Sequence, residues 1–232
     1  MTQLLGLEWD RDRDFSHWVT ERLAYRLWER RGHPIDDALT DWLGAQAMLS
    51  NHGIDDEGVE VIVDYPYLAE IDELDLEENR IGDRGAHAIA TSPHLASLKE
   101  LDLEKNQIAD AGAIALASSE HLAHLEELDL AHNRIADAGA AALARSPCLR
   151  ELEELELEDN AIGDEGARAF AQSSSLAKLE KLDLRSNPVG DLGARALAKS
   201  PYLKKLEELK LSTDGLSKET VEMLQKRFKL KS

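Results

Sequence analysis

The sequence predicts an α/β fold: an arc with short parallel strands along its concave side and helices across its convex side. Three observations carry this. Asn79, Asn106, Asn133, Asn160 and Asn187 stand 27 residues apart. One leucine column, Leu74, Leu101, Leu128, Leu155, Leu182 and Leu209, keeps the same period, and a second, Leu76 to Leu211, follows it by two residues. A helical run of glycine and alanine, such as AGAIALASS, comes after each Asn. Self-similarity at a fixed period marks an array whose units bury their apolar faces only against their neighbours.

The elements of one unit follow in order. L-x-L alternation puts both leucines on one face of a strand. Beyond the Asn lies an apolar column, Ile81, Ile108, Ile135, Ile162 and Val189, and then Asp83, Asp110, Asp137, Asp164 and Asp191. The Asp reads as the N-cap of the helix behind it, accepting from backbone N–H groups that lack a partner. Gly85, Gly112, Gly139, Gly166 and Gly193, with their flanking alanines, keep the helix layer close to the strands. Each helix is then the crossover between parallel strands. Strands pack about 4.8 Å apart and helices about 8–10 Å apart. Strands on one side and helices on the other therefore force a curve with the sheet inside.

The pattern L-x-x-L-x-L-x-x-N-x-I-x-D-x-G-A-x-A-L-A resembles the leucine-rich repeats of the ribonuclease-inhibitor-like type, and the match covers residues 66–232. The resemblance implies a horseshoe segment used mostly for binding proteins. It also implies that Asn79, Asn106, Asn133, Asn160 and Asn187 form a buried ladder bonding the turns of neighbouring units, which sets aside a catalytic role for them.

Composition bounds the rest. Aromatics make up only 5% of the 232 residues, which suits a core of leucine and alanine. The single cysteine, Cys148, excludes an internal disulfide and fits a reducing compartment. The opening MTQLLGLEWDRDRDF lacks the basic and apolar regions of a signal peptide, and no run approaches the roughly 18 apolar residues of a membrane span, so a cytoplasmic location is expected. The formal charge of −19 is unevenly spread: residues 1–65 carry −8, residues 66–173 carry −16 and residues 174–232 carry +5. An acidic body disfavours nucleic acid, whose binding needs a basic groove.

Along the chain, residues 1–51 are expected to form a helical hairpin. Asp14 or Ser16 caps a first helix carrying Phe15, Trp18, Val19, Leu23, Leu27 and Trp28, and Gly32 stops it. A second helix passes through Leu39, Trp42, Leu43 and Met48, so AQAMLS reads as helical. Residues 22–49, with Ala24, Tyr25, Leu27, Trp28, Glu29, Gly32, Pro34, Trp42, Leu43 and Ala45, resemble a small bacterial domain of unknown function, although Asp36 stands where glycine is usual. That resemblance implies a bacterial source and no known chemistry. The hairpin caps the open end of the array, as solenoids require; the alternative is a docking site on its aromatics. Residues 52–65 form a half-repeat through Ile54, Asp56, Gly58, Val59 and Ile62, with His52 at the Asn position. Five full repeats occupy 66–200. Residues 201–232 form a capping repeat with a longer helix, in which Ser217 is the cap and Val221, Leu224 and Phe228 close the core.

Between the buried leucines, three columns point outward onto the concave face. They contain Glu73, Glu100, Glu127, Glu154 and Lys181; Asp75, Asp102, Asp129, Glu156 and Asp183; and Glu77, Glu104, Ala131, Glu158 and Arg185. In the first four repeats 11 of these 12 positions are acidic, after which the sign changes. Like charges on neighbouring strands destabilise by about 0.2–1 kcal/mol per pair, so a face that tolerates them is a candidate binding strip for a basic protein or peptide. The competing reading is a solvated face copied by duplication of ELDLE. No cofactor is expected. Asp75, Asp102 and Asp129 lack the mixed carbonyl ligands of a calcium site. His94, His121 and Cys148 share a column with Tyr67, Ser175 and Tyr202, which marks a variable loop rather than a metal ladder. No phosphate loop, metalloprotease helix or nucleophile elbow is present, so the chain reads as a non-catalytic scaffold. Two rivals remain. One is a regulator of a small GTPase, because the repeats also look like those of the Ran GTPase-activating protein, with Asn79, Arg80, Asn133 and Arg134 on exposed loops. The other is a structural or assembly module.

Overall fold

The computed structural model describes Ala47–Met48 and residues 53–231. The remainder of the hairpin expected over 1–51 lies outside the described residues. Eight short strands form one wholly parallel sheet in chain order: β1 (Ala47–Met48), β2 (Glu73–Asp75), β3 (Glu100–Asp102), β4 (Glu127–Asp129), β5 (Glu154–Glu156), β6 (Lys181–Asp183), β7 (Glu208–Lys210) and β8 (Lys229–Lys231). Seven helices connect them: α1 (Asp56–Val63), α2 (Asp83–Thr91), α3 (Asp110–Ala117), α4 (Asp137–Ala144), α5 (Asp164–Ala171), α6 (Asp191–Lys199) and α7 (Lys218–Arg227). From β2 to β7 the register steps by the sequence repeat, pairing Leu74 with Leu101, Leu101 with Leu128 and so on to Leu209. The α/β arc follows from this alternation.

Both leucine columns and the Ile column are buried from one end of the array to the other. Helices α2 to α6 press close on their neighbours because their third residue is glycine. A Cβ on Gly112 would meet Ile108 Cγ2 at 2.7 Å, Asp83 Oδ1 at 2.8 Å and Ala86 Cβ at 2.9 Å. Alanine there would force the helix layer outward, at about 1–3 kcal/mol.

Polar ladders tie each junction. Asn106 Oδ1 accepts from Ile81 N–H in the preceding unit, while its Nδ2 donates to Leu76, Leu103 and Glu104 carbonyls. Asn133 and Asn160 repeat this set, Asn187 most of it, and Asn79 accepts from Ile54 N–H. A second ladder has no counterpart in the sequence reading. The buried hydroxyls of Ser92, Ser119, Ser146 and Ser200 donate to Val63, Ala90, Ala117 and Ala171 carbonyls at 2.5–2.6 Å, joining each helix end to the one before.

Three expectations are corrected. The Asp column does not cap its own helices. Asp83 is the first residue of α2, and its Oδ1 accepts from Ala109 and Gly112 N–H, both 2.8 Å away, at the start of the next helix. Asp56, Asp110, Asp137 and Asp164 do the same one unit along. The glycines leave room for this forward reach. Ala47–Met48 is strand, not helix: Ala47 pairs with Leu74 and Met48 with Asp75. Alanine and methionine favour helix by propensity, but the hydrogen-bonding edge of β2 outweighs so weak a preference. At the other end, α7 is capped by Ser217, whose hydroxyl accepts from Thr220 N–H, and Leu224 and Phe228 are buried while Val221 is only half-buried. The chain then adds β8, which the helical reading did not foresee.

Candidate functional site

Strand alternation sends the outward columns to one face. Glu73 stands in register with Glu100, Glu100 with Glu127 and Glu127 with Glu154; Asp75, Asp102, Asp129 and Glu156 follow the same register. Together they line a shallow open trough of about 230 Å³ floored by Leu101 and Leu128. Glu100 and Glu127 are exposed; Asp75, Asp102, Asp129 and Glu156 are half-buried. Glu77, Glu104 and Glu158 continue the strip beyond the strand ends, whereas Ala131 in the same column is buried.

Burial and crowding set the acidity here. Asp102 is pushed up to about 6, first by loss of water and then by Asp75, Glu77 and Glu104, against a bond from Glu104 N–H that favours its anion. Asp129 is pushed up to about 7, again by burial first, with Asp102, Glu156 and Glu104 adding to it. Glu100 and Glu127 are raised for the same leading reason. The aspartates also have a local task. Asp75, Asp102 and Asp129 accept from the backbone N–H two residues on, at 2.8–3.0 Å, and so fix the turn that ends each strand. At the equivalent position of β5 stands the longer Glu156, whose carboxylate reaches Lys210 at 2.9 Å.

The C-terminal part of the face is different. Lys181 bonds Glu154 at 2.6 Å. Arg185 reaches both Asp183 and Glu158 at 2.6 Å, and Lys210 reaches Glu156 at 2.9 Å and Asp183 at 3.1 Å. Asp183 is only 1% exposed, and although burial raises its carboxyl, Arg185 and Lys210 bring it below the usual carboxylate range. The cations that change the sign of the face on β6 and β7 are therefore paired with the protein's own acids, and Asp183 is withdrawn from solvent.

Lys105 and His132 were not singled out by sequence reasoning. They sit in the column before the Asn, where Glu78, Lys105, His132, Asp159 and Ser186 all have φ of 50–55°. A non-glycine residue in this left-handed region costs about 1–2 kcal/mol, and the turn into the Asn ladder imposes it. Lys105 Nζ lies 2.8 Å from Glu77, 2.9 Å from Glu78 and 3.3 Å from Glu104. His132 Nδ1 lies 2.8 Å from Asp159. On the same loops Arg80 and Arg134 are exposed, but Asn79 is buried and the amide of Asn133 is engaged by backbone. Asn79 and Asn133 are thus not the exposed loop residues a GTPase-regulating surface would need.

Among the described residues, the one group of carboxylates or imidazoles with donor atoms within 4.8 Å of one another is Asp75, Glu77 and Asp102. His94, His121 and Cys148 are not brought together. No described helix is long and apolar enough to cross a membrane.

A search of curated proteins finds no match. Among solved structures, the chain is similar to a pollen receptor kinase 3, with 20% identity over 68% of each chain and a TM-score of 0.43. It is also similar to an internalin from Listeria monocytogenes, with 22% identity over 72% of this chain and 50% of that one, and a TM-score of 0.44. The family model described as Leucine Rich repeat matches residues 71–90, 94–117, 121–144, 148–171 and 175–198. The matched segments make up half of the sequence and fall on the strand-to-helix units just described, so the chain belongs to the leucine-rich-repeat family.

Proposed function

We propose that this chain is a non-catalytic binding scaffold whose acidic concave face takes a basic protein or peptide. Leucine-rich repeats are protein-interaction scaffolds, and the observation that favours this face is the trough between β2 and β5. Glu100, Asp102, Glu127 and Asp129 line it, and no described lysine or arginine forms an ion pair with them. A cation entering there replaces carboxylate repulsion with attraction, which speeds encounter and weakens with salt. Glu73, Asp75, Glu77, Glu104, Glu154, Glu156 and Glu158 extend the strip. The 27-residue period and helical crossovers favour the ribonuclease-inhibitor-like type. The lone cysteine favours a reducing, cytoplasmic setting, and the resemblance of residues 22–49 favours a bacterial one.

The test is titration with a fluorescent oligolysine peptide, followed by affinity capture from lysate, using wild type and a Glu100→Lys/Glu127→Lys variant. Both positions are exposed, so the fold should survive, as circular dichroism would verify. Wild type is expected to bind at least tenfold more tightly at low salt. Equal binding by the two proteins would sink the proposal.

The exposed Arg80 and Arg134 favour a second reading, regulation of a small GTPase from the loop edge. Faster GTP hydrolysis that disappears in Arg80→Ala or Arg134→Ala is the result this reading requires.

A further inference from the structure

The C-terminal end of the array carries a surface of opposite sign to the trough. Residues 174–232 hold 13 Lys and Arg against 8 Asp and Glu. On the sheet face Lys181, Arg185 and Lys210 are paired, and Lys178 in the return loop pairs with Glu151, but four lysines further along the return-loop edge are not. Lys199 ends α6, Lys204 and Lys205 lie in the loop to β7, and Lys226 is in the last turn of α7. All four are exposed, and none has an ion-pair partner among the described residues. Arg227 gathers them into one corner. Its guanidinium donates to Ala198 O at 2.9 Å and Leu203 O at 3.2 Å, tying the ends of both helices to the loop between them. Tyr202 stands in that loop, 46% exposed, beside Leu203. The exposed tyrosine is the kind of side chain that anchors interfaces, and the lysines around it supply a charged rim.

We propose that this basic corner docks in the acidic trough of a second copy of the chain, joining molecules head to tail. The proposal rests on reading the trough as a receptor for cations and names its occupant. Charge complementarity selects a second copy because the two surfaces belong to different parts of one array. The trough spans β2 to β5, whereas the corner lies at α6 and α7, so a molecule cannot fill its own trough. Such a contact is heterologous, leaving every molecule one free trough and one free corner. The net charge of −19 opposes association at long range. At about 0.15 M salt the screening length is about 8 Å and only touching charges count, whereas at about 0.01 M it is about 30 Å and the bodies repel as wholes. Association is therefore strongest at intermediate salt and falls on both sides, unlike simple attraction between opposite charges.

Sedimentation velocity on the full chain at about 0.01, 0.15 and 1 M salt tests this. Two variants accompany wild type: Lys199→Glu/Lys204→Glu/Lys205→Glu/Lys226→Glu at the corner, and Glu100→Lys/Glu127→Lys in the trough. Wild type is expected to grow with concentration at the middle salt, with at least tenfold weaker association at the extremes. Each variant alone stays monomeric. Mixed together they form a dimer and nothing larger, because one supplies an intact trough and the other an intact corner. Wild type that is monomeric at all three salts, a corner variant that still associates, or a mixture that fails to dimerise overturns the proposal. The oligolysine titration keeps the two ideas apart. A monomeric wild type that binds oligolysine preserves the acidic-face reading and removes the second copy; one that binds neither removes both. A monomeric wild type whose corner binds oligoglutamate has a different acidic partner, which also overturns it.

Discussion

Asp129 and Asp183 occupy equivalent positions two repeats apart, on the same face of the same sheet, and titrate in opposite directions. Each is the third residue of its strand, and each accepts from the backbone N–H two residues on. Asp129 is pushed up to about 7, while Asp183, the more deeply buried by exposed surface, is held below its usual value. The difference is the company each keeps. Asp102, Glu156 and Glu104 surround the first; Arg185 and Lys210 hold the second. The repeat backbone prescribes burial at this position, and the side chains at the two flanking positions decide whether burial stores repulsion or an ion pair. An acidic strip and a neutralised strip are thus alternative finishes on one scaffold.

Removing the company of Asp183 should have the largest effect. In Arg185→Met/Lys210→Met the carboxylate stays buried with no counter-charge, and a loss of about 3–5 kcal/mol is expected in urea denaturation near neutral pH. The loss should shrink on acidification as Asp183 takes up a proton. A loss below about 1 kcal/mol would show that the pairs do not hold this end. Asp129→Asn should act in the other direction. The folded chain keeps a proton on Asp129 to about pH 7, whereas the unfolded chain releases it near 3.8, so ionisation opposes folding as pH rises through that window. The amide keeps the bond from Ala131 N–H without the charge, and a gain of about 1–3 kcal/mol is expected at pH 8, vanishing below about pH 4. A gain that is flat with pH would contradict it. The smallest effect, about 1 kcal/mol, is expected from Ala131→Arg, which copies the Asp183–Arg185 arrangement one side of the trough over. NMR titration should find the Asp129 carboxyl returned toward the ordinary range. An unmoved carboxyl would mean that Lys210, not Arg185, makes the difference at Asp183.

The array was legible in the sequence because its core demands the same residue at the same offset in every unit. Leu101, Ile108 and Asn106 have one permitted environment each, and their columns display it. The Asp column was equally visible, but its partner was not: position 83 lies nearer in sequence to its own helix than to Ala109 and Gly112, and only the stacking of units brings the latter within 2.8 Å. The serines at 92, 119, 146, 173 and 200 were likewise a column in plain sight. Serine is common in loops, so periodicity alone did not reveal a buried donor. The strand at Ala47–Met48 has alanine in the first leucine column and His52 follows at the ladder position, so although Leu49 keeps the second column's period the unit was obscured, and the open edge of β2 recruits its backbone regardless. Outward residues were placed by alternation, but their pairing across two strands, as Lys210 reaches Glu156 at 2.9 Å, depends on side-chain reach that a linear pattern does not encode.

The polar bonds crossing each junction have a heritable consequence. Each boundary from α1 to α6 carries one carboxylate reaching forward to the next helix, one carboxamide reaching back to the previous turn and, at most of them, one hydroxyl reaching back to the previous helix end. Each unit therefore ends in the same half-joint it would meet anywhere else in the row. Unequal recombination that drops or duplicates an in-frame unit rejoins matching halves and leaves no orphaned donor or acceptor. The number of units can therefore change without breaking the polar network, and each added unit would bring three new outward side chains.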